Sequence, residues 1–135
     1  MKTVDLGFGT FEFHPDVVIA TMCEGIHFDL EYNQVLNDAV IDYYGAQHNI
    51  GYISLRKNSY SVDPMVHRYN SKHNTLVSVG IVETRISDMS SVDLESKFFK
   101  PGKLKGFLTS QEAWVWTNLQ LQEASQGFLP FYKVN

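Results

Sequence analysis

The stretch from Asp29 to Gly45, DLEYNQVLNDAVIDYYG, constrains the fold more than any other part of the chain. Its apolar residues Tyr32, Val35, Leu36, Ala39, Val40 and Tyr43 fall three and four residues apart throughout. That spacing lines one face of a helix, so the segment predicts an amphipathic helix with a buried stripe. Asp29 suits the N-cap and Gly45 the C′ position. β-rich runs flank it, VVIATMCEGIHF (17–28) before and IGYISL (50–55) after. Strand, helix and strand in that order predict two parallel strands joined by a right-handed crossover.

The alternation continues. Asp63 caps a short helix with Pro64 at its first position, where a missing N–H costs nothing. TLVSVGIVET (75–84) reads as the most buried strand. RISDMSS (85–91) is a loop, and Ser90 and Asp93 have capping-box spacing for a helix through Phe98 and Phe99. Pro101 and Gly102 end that helix, and KLKGFL (103–108) is a short last strand. Thr109 and Glu112 form another capping-box pair, opening a helix with Ala113, Val115, Trp116 and Leu119. Upstream, TFEFH (10–14) alternates and turns through Pro15 and Asp16 into the 17–28 run as an antiparallel hairpin.

The expected order is ββαβαβαβα, an α/β fold with a mixed, mainly parallel sheet of about five strands and about four helices. Residues 1–9 read as an N-terminal extension and 124–135 as a C-terminal tail. In the tail, Phe128, Leu129, Phe131 and Tyr132 are expected to pack back on the domain. At 135 residues the chain fits a single domain, 1–135, that buries roughly two-thirds of its unfolded surface.

Charge excludes some functions. A net charge of -4 gives no basic field for general nucleic-acid binding. One cysteine, Cys23, forms no internal disulfide and no multi-cysteine metal site, which suits a reducing compartment. No secretory leader and no run approaching ~20 apolar residues is present, so the expectation is a cytoplasmic protein without membrane insertion.

Ligand sites in open α/β sheets lie at the carboxyl ends of the parallel strands. Arg56 to Ser61, Thr84 to Asp88, and Thr109 to Ser110 are expected at that edge. There Arg56, Lys57 and Arg85 supply cations, and Ser59 and Ser61 hydroxyls, for a weak anion site at the helix opened by Asp63. The Asp63 carboxylate competes by capping the same N–H groups, and a surface turn is the plainer reading of the stretch. Cys23 and His27 sit four apart, about 13 Å along a strand, so Cys23 is expected to be buried and unreactive and not half of a dyad. The histidines His14, His27, His48, His67 and His73 show no metal-ligand spacing, and no metal or cofactor is expected. GFG (7–9) precedes a strand and is no dinucleotide fingerprint. Asp38 and Asp42 read as solvated charges, and Trp114, off its helix stripe, as an exposed contact anchor.

The ββα opening, the buried strand LVSVGIVET and the ending LESKFFKPGKLKGFLTSQEAWVW resemble the small bacterial SpoIIAA-like proteins, relatives of the STAS (anti-sigma factor antagonist) domain. The resemblance covers residues 10 to about 120 and implies a single STAS-like domain. The larger CRAL-TRIO lipid-transfer domains are fold relatives. STAS proteins carry a phosphorylatable serine in an Asp-Ser-Ser-Gly-like turn. Here the corresponding turn reads RKNSYSVDP, with Ser59 and Ser61 as the phospho-site candidates but without that motif, and SDMSSVD (87–93) lies one βα unit later. The resemblance implies a non-catalytic regulatory or protein-interaction module, with a protein partner or self-association. Two rivals stand beside it. One is a small-ligand or lipid carrier, which needs an apolar cavity. The other is a small enzyme for an anionic substrate, which needs a base and nucleophile near Arg56.

Overall fold

A computed structural model describes residues 1–85 and 89–126. Its elements, in chain order, are β1 (Lys2–Asp5), β2 (Gly9–Phe13), β3 (Val17–Met22), β4 (His27–Phe28), α1 (Leu30–Tyr44), β5 (Ile50–Leu55), β6 (Ser61–Val62), α2 (Pro64–Asn70), β7 (Leu76–Val82), α3 (Met89–Ser96), β8 (Leu104–Phe107) and α4 (Ser110–Ser125). The main sheet has six strands in the order β1-β2-β3-β5-β7-β8. β1, β2 and β3 pair antiparallel, whereas β3, β5, β7 and β8 run parallel. The parallel strands advance in one direction across the sheet, so crossovers of one hand bring α1, α2 and α3 to the same face. α4 packs on the opposite face, against β5 and β7.

Alternation along the central strands feeds both layers. Ile50 joins the core beneath α1, and Tyr52 packs against it, while Ile53 joins the α4-side core with Val17, Phe107 and Ala113. Val79 and Ile81 pack beneath α3 with Val92 and Phe99. Gly51 and Gly80 lie opposite α4: a Cβ on Gly51 would stand 2.2 Å from Thr117 Cγ2. The absence of that carbon lets helix and sheet approach closely.

Helix starts follow their local chemistry. The side chains of Asp29, Asp63 and Thr109 accept N–H bonds at the openings of α1, α2 and α4. The Thr109 hydroxyl also donates to Glu112 Oε1 at 2.9 Å, next to the bond it accepts from Glu112 N. α3 opens at Met89, one residue before the expected cap, so Ser90 lies inside it.

Several expectations are corrected. Residues 1–9 are no mere extension: β1 pairs with β2 from Lys2↔Phe13 to Asp5↔Thr10. Asp5 Oδ1 accepts the N–H of Gly7, whose φ of 90° suits glycine, and that closes the hairpin. The 17–28 run is two strands, split by a turn with Gly25 at φ 78°. Cys23 lies in that turn and is exposed, because β3 ends at Met22. Val35 and Tyr43 are exposed on α1, whose most buried residues are Asn33 and Leu36. On α4 the buried residues are Ala113 and Thr117, with Val115 and Leu119 facing out. A separate two-stranded sheet, β4 with β6, ties the chain before α1 to the chain before α2. The anticipated packing of Phe128, Leu129, Phe131 and Tyr132 lies outside the described residues, as do the loop positions 86–88, including Asp88.

A buried polar cluster at the end of an internal cavity

β5 passes beneath α1 and α2, and the space between sheet and helices is incompletely filled. A cavity of about 110 Å³ remains there. Its walls are mainly apolar and include Leu36, Val40, Val66, Val79 and Ile81. The exposed residues Ile41 and His73 also line it and mark its opening to solvent. Asn33 of α1 and Asn70 of α2 close one side by exchanging amide bonds, Nδ2 to Oδ1, of 2.9 and 3.1 Å.

The carboxyl end of β5 supplies the polar end of the cavity. Arg56 follows the last strand residue, and its N–H is held by Val82 O of β7 at 3.0 Å. Its guanidinium turns inward and donates both Nη groups to Glu95 of α3, each at 2.6 Å. The two side chains are 10% and 5% exposed, so this is a buried, bidentate ion pair. His67 of α2, also buried, meets the same Glu95 Oε1 at 2.7 Å. An ionised carboxylate only accepts, so His67 Nε2 carries the proton of that bond.

Burial alone would push the Glu95 carboxyl up. The bonds from His67 and Arg56, with the Arg56 charge, outweigh burial and hold it at about 2. Burial opposes the Arg56 charge as well, but the Glu95 bonds and the neighbouring Tyr60 raise its basicity further. Tyr60 stacks under the guanidinium, 5.6 Å from ring centre to Cζ, and shares a 2.8 Å hydrogen bond with Ser54. Burial raises the Tyr52 hydroxyl well above its ordinary range, so it stays protonated. Glu95 takes one N–H from each Nη, and Arg56 Nε is buried with no hydrogen-bond partner among the described residues.

The residues singled out in the sequence are distributed more widely than their spacing implied. Arg56 is not a surface cation, because Glu95 engages it. Arg85 stands at the same sheet edge and chelates the buried Glu83 through Nε and Nη2, at 2.9 and 3.1 Å, while Nη2 also reaches Arg56 O at 3.3 Å. Burial would raise the Glu83 carboxyl, but these Arg85 contacts hold it below its usual range. Arg56 and Arg85 are thus each answered by a glutamate. Lys57 is exposed. The Ser59 N–H is taken by Glu24 Oε2 at 2.6 Å, which puts a negative charge where an anion was expected. Ser61 belongs to β6, and its hydroxyl bonds His27 Nδ1 at 2.7 Å.

Sequence reasoning passed over Glu95, Tyr52, Tyr60, Asn33 and Asn70, and weighed His67 only as a metal ligand. For Glu95 a signal existed: Val92, Glu95 and Phe99 are three and four apart, which places the glutamate on the apolar side of α3. Trp114 is exposed at 38%, as its position off the stripe implied, and meets His14 edge-on at 5.4 Å.

This architecture, a mainly parallel six-stranded sheet with α1 to α3 on one face and α4 on the other, is a SpoIIAA-like fold. Among solved structures the chain is similar to an uncharacterised DUF3478 family protein with a SpoIIAA-like fold from Shewanella loihica PV-4. The match has a TM-score of 0.55 at 13% identity, over 81% of this chain and 91% of that one. No family model matches the sequence, and no curated protein does. Among the described residues no helix is long and apolar enough to cross a membrane.

Proposed function

We propose that this protein is a non-catalytic binding module that takes a small molecule into the cavity between α1, α2 and the sheet. The observation that carries this reading is the apolar cavity left between helices and sheet, with the buried, Glu95-paired Arg56 among its lining residues. Apolar walls with a few fixed polar groups are the usual composition of a ligand site. The polar residues are bonded to one another, His67 and Arg56 to Glu95 and Tyr60 to Ser54. That arrangement suits recognition better than proton or group transfer.

A lipid carrier would need far more room. The cavity is about 110 Å³, whereas sites for drug-sized ligands run to roughly 300–1,000 Å³. A regulatory role through protein contact has separate support in the outer face of α4, where Trp114, Val115 and Leu119 are exposed. Amide NMR of the full chain against a set of compounds of up to about six non-hydrogen atoms tests the cavity reading. Binding is expected to move the amides of 52–56, 66–70 and 33–40 together. If no compound moves them at tens of millimolar, the cavity is only a packing defect.

A further inference from the structure

The charge balance at the end of the cavity points to the class of ligand, on the reading that the cavity is a binding site. We infer that it takes an uncharged, compact molecule with an aliphatic or small-ring body and one small polar group, and that it rejects the matching carboxylate.

Arg56 looks like an anion receptor in sequence, but both of its Nη groups already bind Glu95. Its Nε is buried beyond the reach of water, so the guanidinium meets a guest as a charge already paired with Glu95 and not as an open fork. A carboxylate at the Arg56 end of the cavity would bring a second negative charge towards Glu95, whose side chain is 5% exposed. The arginine charge is already compensated, so nothing repays the desolvation of a further anion.

The other polar groups on the lining suit a neutral guest too. Tyr52, the Ser54–Tyr60 pair and the Asn33–Asn70 amide pair are all uncharged and offer hydrogen-bonding oxygens to a ligand N–H or O–H. The remaining wall is aliphatic, with Leu36, Val40, Val66, Val79 and Ile81. Size sets the upper limit. An apolar cavity of ~150 Å³ admits benzene, so one of about 110 Å³ admits a guest of no more than that bulk.

Isobutyramide and isobutyrate have nearly the same shape and differ in charge, so they isolate the point at issue. Each is titrated into the full chain at mildly alkaline pH and followed by amide NMR. Isobutyramide is expected to saturate shifts over residues 52–56 in the millimolar range, with isobutyrate at least about tenfold weaker. Glu95→Gln, which uncovers the Arg56 charge, is expected to reverse the preference. If that variant does not fold, the wild-type pair of titrations decides alone. Equal or stronger binding of isobutyrate to the wild-type protein overturns the ligand class. So does a silent isobutyramide titration when other small compounds move the same amides, and in that case the cavity reading stands. If nothing moves those amides, the cavity reading fails and takes this inference with it.

Discussion

Glu95→Gln removes one negative charge and almost no volume, so it tests the buried cluster with little change in packing. In the wild-type protein the Glu95 carboxyl titrates at about 2 instead of 4.5. At about 1.4 kcal/mol for each tenfold in acidity, that lowering is worth about 3 kcal/mol of folding stability. The side chain is 5% exposed, so solvent does not screen it. Mutational experience with buried pairs agrees, since removing one partner costs about 3–5 kcal/mol. The sign is set by the folded value lying below the unfolded one. The contribution is complete above about pH 4.5 and is lost as pH falls towards 2. Glutamine does not titrate in this range. Urea unfolding of both proteins across pH is therefore expected to show a gap of about 3 kcal/mol near neutrality that narrows steadily below about pH 4.5. A Gln variant as stable as wild type near neutrality would refute the argument. So would a gap that stays constant from neutrality into acid, because the stabilisation would then not come from the ionised carboxylate.

Two further substitutions test the packing that positions the cavity. Gly51→Ala places a Cβ 2.2 Å from Thr117 Cγ2, so α4 must lift, at a cost of about 1–3 kcal/mol. Thr117→Ala in the same chain should recover much of that loss in a thermal melt, and additive losses would mean that the two residues do not meet. On α1, Leu36→Ala is expected to cost about 2–5 kcal/mol by denaturant unfolding. Val35→Ala, at a side chain 44% exposed, should change stability by no more than about 0.5 kcal/mol. The opposite ranking would assign the wrong face of α1 to the core.

Much of the fold was legible because its signals are local. A capping side chain acts over two or three residues, so Asp29, Asp63 and Thr109 marked the starts of α1, α2 and α4 from sequence alone. Alternating or continuous apolar runs marked β2, β3, β5, β7 and β8, and their interleaving with helices implied the parallel sheet. β1 was invisible for the complementary reason. KTVD has one apolar residue, and it becomes a strand only because β2 lies beside it and the Asp5–Gly7 turn returns the chain.

The face of a helix was harder to read than its existence. In α1 the stripe of Val35, Leu36, Ala39, Val40 and Tyr43 is broad enough to allow more than one rotation about the axis. Asn33 settles the choice, because its amide finds Asn70 on α2 and is buried with it. That partner lies 37 residues away, beyond the reach of periodicity.

The candidate site shows the same division most clearly. The sequence determined that Arg56 would stand at the carboxyl end of a parallel strand, since strand length and the following helix start are local properties. Whether that arginine faces solvent or the interior was decided by tertiary structure. Glu95, 39 residues away, is brought to it only when β7 is laid beside β5 and α3 crosses back over the same face. An electrostatic pair forms through space, at distances set by sheet order and crossover hand, and spacing along the chain carries no record of it.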